Sequence, residues 1–378
     1  MLTRSPSRQK TALPLSWQDR LRAEASHHFA LFVLTVLYCI IAVAYLESHG
    51  IVGLPVFDEY LIATAIPLVA MAGFRIFGET TYHALHVRPF RTAGLWKGIR
   101  QSEIFSLDRA AAAYIPVLLL PLFSSVFTSF KISIPEIVPF AWDQTLMRAD
   151  LALHGGVHPW QLLQPVLGHP LVTSALSYLY NFWHGMICVV YWQMFRLEKR
   201  ALRMQFLISF VLTWAILGSL GALLFSSAGP CYYGYIVDGP NPFAEQLAYL
   251  QSTQDIFTNR ALLGQEYLWR LYQDGKAGLG GGISAMPSLH VAVALLIFLL
   301  ARSFSRRMAW ITGTYVVIIM VGSVHLGWHY AVDGYVALIG AAMAWMAAGW
   351  IVRNVVPPAP CPSNASSDLL QDGQSPGA

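Results

Sequence analysis

The sequence predicts an all-α protein, a polytopic bundle of about eight membrane-spanning helices. Three observations carry that expectation. The composition is 56% hydrophobic and only 12% charged, far from the balance of soluble domains. Apolar runs recur at the roughly 20 residues a helix needs to cross about 30 Å of hydrocarbon. Positive charge segregates in step with those runs. The net charge of +4 names no acidic partner, because the positive residues follow the membrane pattern; no nucleic acid is expected.

In chain order, residues 1–25 read as a basic polar arm on the cytoplasmic side. Residues 26–130 hold three spans, near 29–47, 60–76 and 110–129. The first begins too late and runs too long for a cleaved signal peptide, and is expected to remain. A catalytic transmembrane domain is expected over 131–353, with spans near 171–195, 205–227, 286–303, 308–328 and 333–352. Two long connections interrupt it. Residues 130–170 contain "WDQTLMRADLALHGGVHPW", whose spacing suggests a short helix along the membrane surface, and residues 228–285 run from "SSAGPCYYG" to a glycine-rich stretch. Residues 354–378, rich in Pro, Ser and Gly, are expected to form a disordered cytoplasmic tail. Cys39, Cys188, Cys231 and Cys361 show no metal-ligand spacing.

The charges fix an orientation. Five Lys and Arg precede the first span, six cluster between the second and third, four between the fourth and fifth, three between the sixth and seventh, and Arg353 closes the last. Nineteen of the 24 therefore share one face, which the positive-inside rule makes cytoplasmic, with both termini. His290, His329 and Asp333 then fall together at the extracytoplasmic ends of three consecutive spans. Ionisable groups inside spans are costly and mark functional cavities. His329 and Asp333 are spaced i,i+4, so a persisting helical turn puts them on one face, and the carboxylate takes the imidazole Nδ1–H, leaving Nε2 free to attack. His290 arrives from another helix as a proton donor to a leaving oxygen. Nucleophile, orienter and acid are the parts of covalent catalysis at phosphorus or carbonyl carbon.

The surroundings of His290 favour phosphorus. "GGGISAMPSLHVAVALL" begins a helix, whose free N–H groups attract an anion. Pro287 suits its first turn; Ser284 and Ser288 add hydroxyls, Gly278, Gly280, Gly281 and Gly282 allow close backbone approach, and Lys276 is the nearest outer cation in sequence. His325, one turn before His329, and Tyr232 in "SSAGPCYYG" are further candidates for substrate contact. His184 in "YLYNFWHGM" reads as an interhelical histidine.

"PSLH" at 287–290 followed by "HYAVD" at 329–333 resembles the type 2 phosphatidic acid phosphatase superfamily, over roughly residues 170–352. The resemblance implies a six-helix phosphatase-like core without metal or other cofactor. It assigns the phosphohistidine nucleophile to His329, its orientation to Asp333 and leaving-group protonation to His290. Three departures point to a branch. No Lys-x6-Arg-Pro element is present: Thr81 stands where "VRPF" at 87–90 would need its lysine. Gly322-Ser323 replaces the usual Ser-Arg, and Leu289 the usual glycine. The pattern is more similar to inositol phosphorylceramide synthases and related lipid phosphotransferases, with Lys276, Arg260 and Arg270 as stand-ins for the missing arginine. The implied partners are membrane lipids: a phospholipid, sphingolipid or isoprenyl phosphate. The alternatives are a lipid phosphate or isoprenyl diphosphate phosphatase, and a non-catalytic transporter or receptor.

Overall fold

The computed structural model describes residues 16–53, 56–86, 107–194, 199–254 and 256–357. Residues 1–15 of the basic arm, "VRPF" at 87–90 and the tail from residue 358 lie outside the described residues. Every regular element described is helical, so the all-α expectation holds. The first half comprises α1 (Trp17–His27), α2 (Phe29–Ser48), α3 (Phe57–His86), α4 (Leu107–Ile137), α5 (Asp143–Leu153), α6 (Pro159–Leu167), α7 (Pro170–Asn181) and α8 (Trp183–Met194). The second comprises α9 (Arg200–Leu224), α10 (Ala244–Gln254), α11 (Arg260–Gln273), α12 (Leu289–Ala301), α13 (Arg306–His325) and α14 (Ala331–Asn354).

Among the described residues, six helices are long and apolar enough to cross a membrane: α2, α3, α4, α9, α13 and α14. They make this a multi-pass membrane protein. The other two expected spans differ from a continuous helix, each for a local reason. The run 171–195 is broken at Phe182 into α7 and α8. The buried face of α7 carries Thr173, Ser174 and Ser177, whose hydroxyls reach the Tyr249 hydroxyl on α10, the Thr258 carbonyl and the Arg260 N–H of α11. The polar stripe thus binds α7 to the connection between α9 and α12. The run 286–303 becomes the 13-residue helix α12, because the chain before Ser288 is irregular and packed inside the protein. Non-helical backbone is tolerated at such a place only where it is buried or lines a cavity.

Helix α12 sits at the centre, packed against α13, α14 and α9. Its Val291, Ala292, Val293, Ala294, Leu296, Ile297 and Leu300 are all buried, the pattern of a helix enclosed on every side. Helix α14 is two-faced. Ala337, Ala341, Ala344 and Ala348 form its buried stripe, spaced so that α9 approaches closely, while Ile339, Met343, Met346 and Trp350 are exposed and suited to lipid. Near the middle of α9, Trp214–Gly221 is wound as a π-helix. Gly218 in this stretch is required by packing: a Cβ there would lie 2.7 Å from the Phe127 ring and 2.8 Å from Leu289. The expected surface helix at 130–170 is α5 followed by α6. Its inward face carries two carboxylates, Asp143 and Asp150, alongside Leu146.

Candidate active site

The ends of α12, α13 and α14 meet at one level of the bundle. Helix α13 stops at His325, Gly327 turns the chain with φ +75°, and the Trp328 and His329 N–H groups both donate to the Ser323 carbonyl, at 2.9 and 3.1 Å. Tyr330 then caps α14, and Asp333, in its first turn, folds back to accept the Tyr330 N–H at 3.0 Å. His329 and Asp333 are therefore brought together by a helix cap. The continuous helical turn expected from their spacing does not form, because His329 precedes α14 in the tight turn.

The same cap fixes the imidazole. Nδ1 of His329 lies 2.8 Å from the Ala285 carbonyl and 3.3 Å from Asp333 Oδ2. Both neighbours accept only, so Nδ1 carries the proton and Nε2 keeps its lone pair. No hydrogen bond engages Nε2 among the described residues. Ala285 is held in turn by Ser227, whose carbonyl accepts its N–H at 2.9 Å, and the Ser288 N–H donates to the Asp333 carbonyl at 3.2 Å. The tips of α12 and α14 are thus tied to each other.

His290, the second residue of α12, faces His329 with 6.1 Å between ring centroids. Its ring is sandwiched by Tyr180, nearly parallel at 4.8 Å, and Trp183 at 4.4 Å, and its carbonyl accepts the Trp183 indole N–H. Both histidines line a cavity of about 350 Å³, within the usual size of a small-molecule site. Its lining combines polar groups, Lys131, His184, His290, His329 and the Gly280–Ser284 backbone, with apolar ones that include Leu120, Phe127, Phe210 and Trp214.

Of the other residues expected here, Ser284 and Tyr232 line the cavity, although the Tyr232 hydroxyl is committed to the Gln265 carbonyl at 2.8 Å. Ser288 is fully buried and accepts the Val291 N–H as the cap of α12. His325 is buried outside the cavity lining, with Nε2 2.9 Å from the Thr173 hydroxyl. Lys276 is exposed, 2.9 Å from Asp274; Arg270 is exposed and paired with Glu266, and Arg260 lies over the Tyr178 ring. None of these three cations lines the cavity. His184 does, at its exposed side.

Sequence reasoning passed over the carboxylates of α5. Asp143 accepts the N–H groups of Ala228 and Gly229 and the Tyr330 hydroxyl, each at 2.8 Å. Asp150 accepts the N–H groups of Ala331 and Val332, the first of α14, at 2.8 and 2.9 Å. Burial pushes both carboxyls above their ordinary range, and the backbone N–H groups pull them back. Together they hold the start of α14 and hence the His329 turn. Their signal was the i,i+7 spacing on one face of an amphipathic helix.

A profile of the PAP2 superfamily matches residues 144–350. The chain belongs to the PAP2 superfamily. No curated protein and no solved structure matches. The part shared with the superfamily contains His290, His329, Asp333 and Asp150; α3 and α4, which supply one wall of the cavity, lie before it.

Proposed function

We propose that this PAP2-superfamily protein is a lipid phosphotransferase of the inositol phosphorylceramide synthase-like branch, working through a phosphohistidine on His329. The observation that carries the reading is the fixed tautomer of His329, with Nε2 left to a cavity that His290 also faces. In the first step Nε2 attacks phosphorus, an N–P bond forms, and the P–O bond to the leaving group breaks as His290 gives that oxygen a proton. In the second, a lipid hydroxyl attacks phosphorus and passes its proton to His290, and the N–P bond breaks. Asp333 stabilises the positive charge that develops on His329. The 6.1 Å between ring centroids suits a phosphoryl group in contact with both rings.

The mixed polar and apolar lining of the cavity supports a lipid substrate, and "PSLH" with "HYAVD" supports the transferase branch. The charge segregation supports an extracytoplasmic site with both termini inside. In the deciding experiment, the purified protein receives labelled phosphatidylinositol with ceramide or diacylglycerol and, separately, phosphatidate or an isoprenyl diphosphate. A new phospholipid that requires both the added alcohol and His329, and that persists with a divalent-metal chelator, is expected. Free phosphate without a lipid product makes the protein a phosphatase; no turnover of any donor favours the transporter or receptor.

A further inference from the structure

The superfamily motifs leave the phosphate without a permanent positive charge, since the usual arginine position is Ser323, buried and donating to the Met320 carbonyl. The cavity nevertheless contains one. Leu120, Ser124, Phe127, Thr128 and Lys131 all line it from α4, at spacings that place them on a single helical face. Lys131 lines the same cavity as His290 and His329.

Lys131 is held there by the glycine-rich loop. A Cβ on Gly282, whose φ is +90°, would lie 2.9 Å from the Lys131 side-chain stem and from its backbone carbonyl carbon, and one on Gly281 would lie 3.2 Å from Ile132. The glycines therefore let the loop before "PSLH" press against α4 at Lys131. The Gly280 N–H also donates to the Tyr60 hydroxyl, which lies 2.6 Å from Thr128 one turn before Lys131. Among the described residues, no carboxylate pairs with the Lys131 ammonium and none lines the cavity. A half-buried cation beside a hydrophobic span, without a counter-ion, is costly until an anion arrives.

We propose that Lys131 binds the phosphoryl oxygens of the lipid substrate, taking the place of the missing arginine from a helix that lies before the part shared with the superfamily. The assignment rests on the phosphotransfer reading of the site, and its test separates the two. Binding of dodecylphosphonate, dodecanol and inorganic phosphate is measured for the full chain in maltoside micelles, as wild type, Lys131→Met and Lys131→Arg. The wild type is expected to prefer the phosphonate. Lys131→Met weakens phosphonate binding about tenfold or more, the scale of a lost charged hydrogen bond, and leaves dodecanol unchanged, which also shows that the cavity is intact. Lys131→Arg keeps most of the preference. Inorganic phosphate is expected to bind more weakly than the phosphonate; equal binding, also lost in Lys131→Met, assigns Lys131 to free phosphate instead of a lipid headgroup. A wild-type preference that survives in Lys131→Met overturns the role of Lys131 alone. A wild type that binds phosphonate no better than dodecanol overturns the phosphate site itself.

Discussion

Among the described residues, two buried histidine–carboxylate pairs share the i,i+4 spacing, Glu24 with His28 and His329 with Asp333. They lie toward opposite ends of the bundle, and only one opens onto a cavity. In the first, His28 is fully buried, its Nδ1 is 2.8 Å from the Glu24 carbonyl, and its Nε2 lies 3.3 Å from Arg203. Glu24 itself pairs with Arg200 and Arg203. Both ring nitrogens are engaged, so His28 fastens α1 to α9 and its ring has nothing left to offer a ligand. In the second, one nitrogen is held and the other is free. Spacing alone is therefore a poor guide to chemistry; the vacant nitrogen beside a cavity distinguishes a candidate reagent from a fastening.

The sharpest way to break this comparison is to remove each ring. His329→Ala is expected to cost about 10⁴-fold or more in turnover, as loss of a covalent nucleophile does. It should also abolish any acid-labile phosphoenzyme. His290→Ala should cost on the order of 10²- to 10⁴-fold, the range for a general acid. His28→Gln should leave activity per folded molecule unchanged. Activity in His329→Ala, or its specific loss in folded His28→Gln, would erase the distinction.

A smaller effect is expected for Asp333→Asn. Because the Ala285 carbonyl also holds the Nδ1 proton, the tautomer survives and what is lost is the charge opposite the developing imidazolium. The expected loss is on the order of 10- to 100-fold, read as a fall in the single-turnover rate of phosphoenzyme formation. A loss equal to that of His329→Ala would mean that the carboxylate alone sets the tautomer.

The smallest effect concerns stability and pH. Burial, followed by the charge of Arg203, pushes the His28 imidazole from 6.5 down to about 3. Between those values the unfolded chain binds a proton that the folded chain refuses. The contribution of His28 is thus complete above about pH 6.5 and is lost as pH falls toward about 3. His28→Gln should lower the apparent Tm near neutrality by about 2–4 °C per kcal/mol lost and flatten its decline in acid. An unchanged slope between pH 7 and 5 would mean that His28 is not a neutral buried group.

Much of the site was legible beforehand because its residues lie in two short motifs at helix ends. His290 and His329 do converge, and Ser284 and Tyr232 do line the cavity. The cation that lines the cavity was not legible. Lys276 is the outer cation nearest to His290 in sequence but does not line the cavity, whereas Lys131 reaches it from a helix about 160 residues before His290. It reads locally as the edge of a span. Asp143 and Asp150 escaped notice for the same reason: their partners, Ala228, Gly229 and the start of α14, are far away along the chain.

Composition and periodicity were enough to establish a helical membrane protein, and motif chemistry was enough to single out three side chains that the structure brings together, because apolar length and residue type are local properties. Whether a polar group is spent or available is not local. The Ala285 carbonyl on His329, the break at Phe182, the approach of Gly282 to Lys131 and the sealing of His28 by Arg203 each depend on backbone and side chains remote in sequence. They were decided only when the helices packed, since the hydrogen-bond needs of a buried group can be met by any segment that reaches it.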